Sequence, residues 1–203
     1  FVDSHCHLTF DGLADRIGDV RAAMAAADVD RALVICTTLE EFDRVHALAT
    51  AYDNFWCSAG VHPDNEGVRE PSLEDLLDLA ARPRVVAIGE TGLDYYRIKG
   101  DMTWQQDRFR RHIRAACVTH KPLIVHTREA AADTIRVLQE EGAESVGGVM
   151  HCFTESWETA RSALDLGFYI SFSGIVTFRN AESLRAVAAK VPADRLLIET
   201  DAP

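Results

Sequence analysis

Eight short runs rich in Val, Ile and Leu recur along the chain, and each but the last leads through polar or glycine residues into a stretch of helical periodicity. The runs are Phe1 to His5, Arg31 to Thr37, Phe55 to Val61, Val85 to Glu90, Leu123 to Thr127, Gly148 to Cys152, Phe168 to Ser173 and Leu196 to Thr200. Strands alternating with helices require crossover connections, and crossovers make neighbouring strands parallel. Eight such strands fit a closed barrel. An open doubly wound sheet usually has fewer, and it carries a Gly-rich phosphate loop after its first strand that is not found here. The predicted architecture is therefore an α/β TIM (β/α)8 barrel in one domain over residues 1–203, lacking its last crossover helix. Because Asp201-Ala202-Pro203 follows the eighth run directly, the wall there would stay uncovered. Burying a helix face contributes several kcal/mol at about 25 cal/mol per Å² of apolar surface, so a longer parent protein is expected.

Helix starts are marked by Thr38-Leu39-Glu40-Glu41, Ser72-Leu73-Glu74-Asp75 and Thr103-Trp104-Gln105-Gln106, each resembling a capping box, and stops by Gly142, Gly167 and Pro192. No repeat, linker or low-complexity segment interrupts the pattern. The N-terminus has no basic flank and no apolar core of a signal peptide, and the apolar runs are too short to span a bilayer, which makes the cytoplasm the expected location. The five cysteines, Cys6, Cys36, Cys57, Cys117 and Cys152, form no CxxC pair and read as buried reduced thiols rather than zinc ligands. A net charge of −11 argues against broad nonspecific binding to polyanions or acidic membranes. It leaves room for a phosphate-bearing substrate, since bound divalent cations reverse the local sign.

Metal-type side chains gather at strand C-termini, the end where barrel enzymes carry their active sites: His5 and His7, Glu90, His126, His151 and Asp201. His5 and His7 alternate with Cys6, so both imidazoles point to the axis while the thiol points away. Singly, each has an ordinary structural explanation, as a hydrogen-bonded core histidine, a helix cap or a salt-bridge partner. Jointly, histidines and carboxylates from five strands converge on one mouth, where unpaired buried carboxylates are costly without a cation. Such a mixed N/O set suits zinc, manganese or magnesium, and six ligands suit two ions sharing Glu90, with Asp201 steering the proton of a metal-activated water. His62, in Gly60-Val61-His62-Pro63, points near the same mouth and either orients substrate, protonates a leaving group or stabilises a turn. His46, His112 and His120 read as solvated surface histidines. Arg128, Arg97 and Lys99 are candidates for phosphate contacts or are solvated loop charges. Tyr95, Tyr96 and Phe153 either stack on bases or pack.

The segments Val2-Asp3-Ser4-His5-Cys6-His7-Leu8, Gly60-Val61-His62-Pro63, Gly89-Glu90-Thr91-Gly92-Leu93-Asp94-Tyr95-Tyr96, Lys121 through Arg128, Met150-His151-Cys152-Phe153 and Glu199-Thr200-Asp201-Ala202-Pro203 resemble those of the TatD family of metal-dependent deoxyribonucleases, in the amidohydrolase superfamily. The resemblance implies a TIM barrel and a two-metal site of Mg²⁺, Mn²⁺ or Zn²⁺ held by His5, His7, Glu90, His126, His151 and Asp201. It also implies exonucleolytic hydrolysis of phosphodiester bonds in DNA, read at ends or single strands without sequence specificity, and a monomer is expected. Thr9 departs from the acidic residue that often follows His-Leu in such proteins. Two rivals remain at the level of sequence: a barrel hydrolase of an amide, lactone or ester with the same metal site, and a metal-stabilised binding scaffold without turnover.

Overall fold

The computed structural model describes all residues 1–203, in one eight-stranded sheet whose strands pair in sequence order, every pair parallel. The strands are β1 (Val2–Cys6), β2 (Arg31–Val34), β3 (Phe55–Ala59), β4 (Val85–Asp94), β5 (Leu123–Arg128), β6 (Gly148–Met150), β7 (Phe168–Phe172) and β8 (Leu196–Ile198). Between them run α1 (Ile17–Ala26), α2 (Phe42–Ala51), α3 (Leu73–Ala80), α4 (Thr103–Thr119), α5 (Ala131–Glu140), α6 (Trp157–Asp165) and α7 (Glu182–Ala188). The sheet curls into a nearly closed barrel with the helices outside. No helix is long and apolar enough to cross a membrane.

Alternation along each strand decides what faces the axis. On β5, Leu123 and Val125 pack into the large outer core with Phe109 and Ile113 of α4, while Ile124 meets Ile35 and Ala87 in a small cluster inside the barrel. His126 shares the parity of Ile124, so it also points inward. On β1, Cys6 joins the outer core with Val34 and Phe55, which leaves His5 and His7 for the interior. One register shift falls between Ile88 and Thr91, where β4 carries Glu90 past β5. Beyond it Gly92 pairs with His126 at φ +134°, and a Cβ there would lie 2.0 Å from the His126 carbonyl oxygen. Only glycine lets the strands approach so closely.

The seam between β8 and β1 carries no regular ladder and is closed by the residues that follow β8. The Asp201 N–H donates to the His5 carbonyl at 3.0 Å, and the His7 N–H donates to the Ala202 carbonyl at 2.7 Å. The Asp3 carboxylate accepts from the Thr200 N–H at 3.0 Å and from its hydroxyl at 2.6 Å. These bonds hold Asp201 at the mouth in the left-handed backbone region, at φ 55°.

Two expected helix starts are displaced. Ser72 and Asp75 form the reciprocal capping box of α3, but α2 begins only at Phe42, with the Thr38 hydroxyl accepting from the Glu41 N–H in a preceding turn. At α4, Thr103 is itself capped, its N–H and hydroxyl both donating to the Asp101 carboxylate. The cysteines form no disulfide; Cys6, Cys36 and Cys57 are buried, whereas Cys117 and Cys152 are only half-buried.

Candidate metal centre

All six residues read as ligands meet at the C-terminal mouth, where His7, Glu90, His126, His151 and Asp201 line a cavity of about 770 Å³ and His5 is buried behind them. Glu90, buried to 2 % exposure, is its centre. Its Oε2 faces His5 Nε2 at 3.2 Å and His7 Nε2 at 3.9 Å. Its Oε1 faces His151 Nε2 at 2.7 Å, His62 Nε2 at 3.1 Å and His126 Nδ1 at 3.3 Å. Asp201 Oδ1 lies 3.5 Å from His7 Nε2 and 3.6 Å from His5 Nε2, so it joins the first set. One carboxylate thus divides the imidazoles into two groups, one on each oxygen.

Several donor atoms here have no protein partner. His5 Nδ1 and His7 Nδ1 are buried without a hydrogen bond, His151 Nε2 has only the Glu90 carboxylate beside it at 2.7 Å, and the Nε2 atoms of His5 and His7 face each other at 3.3 Å. Burying polar atoms unpaired costs about 1–3 kcal/mol each. Lone pairs crowded beside carboxylate oxygens instead match the donor set of a divalent cation, and His5, His7 and Glu90 form one group able to hold an ion, as do His62, Glu90 and His126.

The electrostatics follow from the crowding. Burial alone would raise the Glu90 carboxyl, but the imidazoles of His151, His62 and His5 hold it well below the ordinary carboxylate range. Burial opposes a charge on His151 too, yet Glu90 and Glu199 lift it well above an ordinary imidazole. His62 is depressed by burial but raised further by Glu90 and Asp64, to about 9. Burial and the neighbouring His151 lower His5.

Three of the imidazoles have carboxylates behind them that the sequence reading missed. His126 Nε2–H donates to Asp94 Oδ2 at 3.0 Å, His151 Nδ1–H donates to Glu199 Oε1 at 3.3 Å, and His62 Nδ1–H donates to Asp64. The signal for two of them was period 2: Asp94 stands four residues after Glu90 in β4, and Glu199 two before Asp201.

His112 was read as a solvated histidine, and the structure corrects this: it is fully buried. Its Nδ1–H donates to the Arg108 carbonyl at 2.8 Å, and its Nε2 accepts from the Val61 N–H at 3.0 Å. Arg108 Nη1 donates to the His62 carbonyl at 2.8 Å, and Gln105 Nε2 donates to the Pro63 carbonyl at 3.0 Å. Gln105, Arg108 and His112 share the inward face of α4 with Phe109 and Ile113, and this polar stripe fixes the backbone that presents His62. His120 is exposed and His46 half-buried, its Nε2 bonded to the Pro83 carbonyl.

The substrate-contact candidates divide. Arg128 and Arg97 line the cavity; the Arg128 guanidinium lies 4.0 Å over the exposed Tyr96 ring, and Arg97 Nη1 reaches Asp64 Oδ2 at 3.1 Å. Tyr95 turns away, with its hydroxyl on Asp133 at 2.7 Å, and Lys99 turns towards Glu129. Phe153 is buried at 2 % exposure in the outer core, edge-on to Phe172, so it is a packing residue and offers no face to a base.

Comparison with known proteins agrees with this geometry. The family model described as TatD related DNase matches residues 2–203. An uncharacterized metal-dependent hydrolase of Escherichia coli, YcfH, is 52 % identical over 206 residues, covering 100 % of this chain and 77 % of that protein. A protein of Cronobacter turicensis named 3′-5′ ssDNA/RNA exonuclease TatD is 40 % identical over 184 residues, covering 90 % of this chain and 70 % of its own length. The crystal structure of YjjV, a TatD homolog from Escherichia coli, superposes with a TM-score of 0.90 at 32 % identity, over 100 % of this chain and 79 % of that one. With its barrel, its convergent histidines and its relatives, the chain belongs to the TatD-related DNase family of metal-dependent hydrolases.

Proposed function

We propose that this chain is a two-metal phosphodiesterase that removes nucleotides from DNA ends, preferentially frayed or single-stranded ones. The observation that carries the reading is the division of Glu90: its two oxygens face two different imidazole groups, the arrangement a carboxylate adopts when it is shared between two cations. His5, His7 and Asp201 with Glu90 would hold one ion, and His126 and His151 with Glu90 the other. When bound, divalent ions supply Lewis acidity and lower the pKa of a coordinated water towards neutrality, which creates a hydroxide nucleophile.

The side chains supply the rest. Asp201 is the most open of the carboxylates at the centre, with a side chain 33 % exposed, so its oxygen can take up the proton of the attacking water and pass it to solvent. His62 lines the cavity, with Nδ1 tied to Asp64 and Nε2 3.1 Å from Glu90 Oε1, and is the imidazole assigned to donate a proton to the departing oxygen. Arg128 and Arg97 offset phosphate charge that the acidic chain would otherwise repel. Tyr96, half in solvent beneath Arg128, offers a stacking face that needs no particular base. Digestion from the 3′ end is the expected polarity, in line with the name of the Cronobacter relative.

The test incubates end-labelled single-stranded and duplex DNA with the metal-free protein resupplied with Mg²⁺ or Mn²⁺, beside a Glu90→Gln control. Mononucleotide release by the parent and none by the variant or under chelator is the expected outcome. Intact DNA in every metal, with hydrolysis of a nitrophenyl carboxylic ester by the same preparation, would transfer the site to the ester-hydrolase reading.

A further inference from the structure

Resting on that two-metal reading, we infer that Asp94 and Glu199 are positioning residues that fix the tautomers of His126 and His151, that Asp94 serves only the half of the centre built on those two rings, and that His7 in the other half is oriented by packing instead. The two histidines of the first half present opposite nitrogens to Glu90 Oε1. His126 faces it with Nδ1 at 3.3 Å and His151 with Nε2 at 2.7 Å. A neutral imidazole carries its proton on one nitrogen or the other, so these rings need opposite tautomers, and nothing in the ring itself selects between them.

The carboxylates make the selection. Asp94 takes the proton of His126 Nε2 as an acceptor at 3.0 Å, and Glu199 that of His151 Nδ1 at 3.3 Å, which leaves the Glu90-facing nitrogen of each ring as the free lone pair. Both carboxylates are themselves anchored. Asp94 Oδ1 accepts from the backbone N–H groups of Tyr96 at 2.9 Å and Arg97 at 2.8 Å, and Glu199 Oε1 accepts from the Cys152 N–H at 2.5 Å. A donor set pinned in this way loses about 10–100-fold in metal affinity when the outer carboxylate is removed.

His5 and His7 have no hydrogen-bonded carboxylate behind them, since the Nδ1 of each is buried without a partner, though Glu199 comes within 4.8 Å of a His5 nitrogen. Their rings are held by stacking: His5 on His151 with centroids 3.8 Å apart, and His7 on Phe10 at 4.7 Å. Loss of the Phe10 ring therefore loosens the half that loss of Asp94 leaves alone, while Glu199, behind His151, reaches His5 through their stacked rings. The two ions of the centre respond to different outer residues.

The experiment titrates metal-free protein with Mn²⁺, following free ion by electron paramagnetic resonance and heat by calorimetry, for the parent, Asp94→Asn, Glu199→Gln and Phe10→Ala. Two ions on the parent are the premise, and fewer than two would overturn the two-metal reading itself. Given two, Asp94→Asn is expected to weaken one step about 10–100-fold and leave the other within about threefold, and Glu199→Gln to weaken at least that same step by a similar factor. On a His126→Ala background, which keeps every ligand of the His5/His7 half, Phe10→Ala lowers the affinity of that half, and an unchanged affinity would overturn its assignment to packing. Equal weakening of both ions by Asp94→Asn, or weakening of neither, would overturn the inference while leaving the two-metal reading intact. Circular dichroism of the metal-free forms checks folding, and should Glu199→Gln fail to fold, Asp94→Asn carries the same readout.

Discussion

Acid should destabilise this protein through His112, a residue that touches no part of the metal centre. In the folded chain its Nε2 is occupied as the acceptor for the Val61 N–H, its Nδ1–H is used on the Arg108 carbonyl, and no water reaches it. Burial, reinforced by the positive charges of Arg108 and Arg111, lowers its pKa from 6.5 to about 4. A group whose folded pKa lies below its unfolded value contributes stability that is complete above the unfolded value and is lost as pH falls towards the folded one. The window for His112 is therefore pH 6.5 down to about 4. Between pH 7 and pH 5 the unfolded chain takes up a proton that the native chain refuses. At about 1.4 kcal/mol per pH unit over most of that interval, the loss from this one residue is about 2 kcal/mol.

The measurement is urea unfolding of the metal-free protein at pH 7, 6 and 5, for the parent and for His112→Gln. Glutamine keeps an acceptor within reach of the Val61 N–H and cannot titrate. It gives up the bond to Arg108, so the variant starts about 1 kcal/mol less stable at pH 7. Site histidines and carboxylates are present in both proteins, so their titration cancels in the difference. The gap between the two should close by pH 6 to 5 and then reverse. Parallel pH profiles would refute the reasoning, since they would mean that His112 is protonated in the native state or that its bond to Val61 does not hold.

Three further outcomes are expected. Arg128→Ala should raise KM for single-stranded DNA about tenfold with a smaller change in kcat, and should lower the salt slope of binding by about one, as loss of a single phosphate contact does. Phe153→Ala should cost about 3–5 kcal/mol in denaturant unfolding, as deletion of a buried aromatic does, while leaving the DNA affinity of the folded fraction unchanged; a variant with native stability and weakened DNA binding would restore the stacking role. Gly92→Ala should fail to accumulate as folded protein, because its Cβ would meet the His126 carbonyl oxygen at 2.0 Å and its φ of +134° is unfavourable for alanine. A soluble variant with an unshifted thermal midpoint would contradict the close approach of β4 and β5.

What could be read from the chain beforehand was whatever depends on near neighbours. Period-2 alternation placed His5 and His7 on the axis and Cys6 outside, and the same rule placed His126 beside Ile124, because a strand carries its own orientation in consecutive residues. Phe153, two residues beyond His151 and thus of equal parity, does not follow the rule. β6 ends at Met150 and Cys152 turns into the left-handed region at φ 41°, which breaks the alternation and sends the ring into the helix layer. The misreading fell on α4. Gln105, Arg108 and His112 occupy the positions of an amphipathic helix that face the barrel, but a polar residue there reads as solvated unless its partner is known. The partners are backbone groups of Val61, His62 and Pro63, between 42 and 51 residues away.

The same division runs through the metal centre. Which side chains point at the mouth follows from local strand geometry, and so all six could be named from the sequence. Which nitrogen of each imidazole points there does not, because the choice is made by Asp94, 32 residues before His126, and by Glu199, 48 residues after His151. Tautomer selection at these two rings is a property of the folded barrel, in which β4 brings Asp94 behind His126 of the adjacent β5 and the end of β8 brings Glu199 behind His151. The sequence therefore identifies the atoms available to a cation, and the fold decides which of them present a lone pair to it.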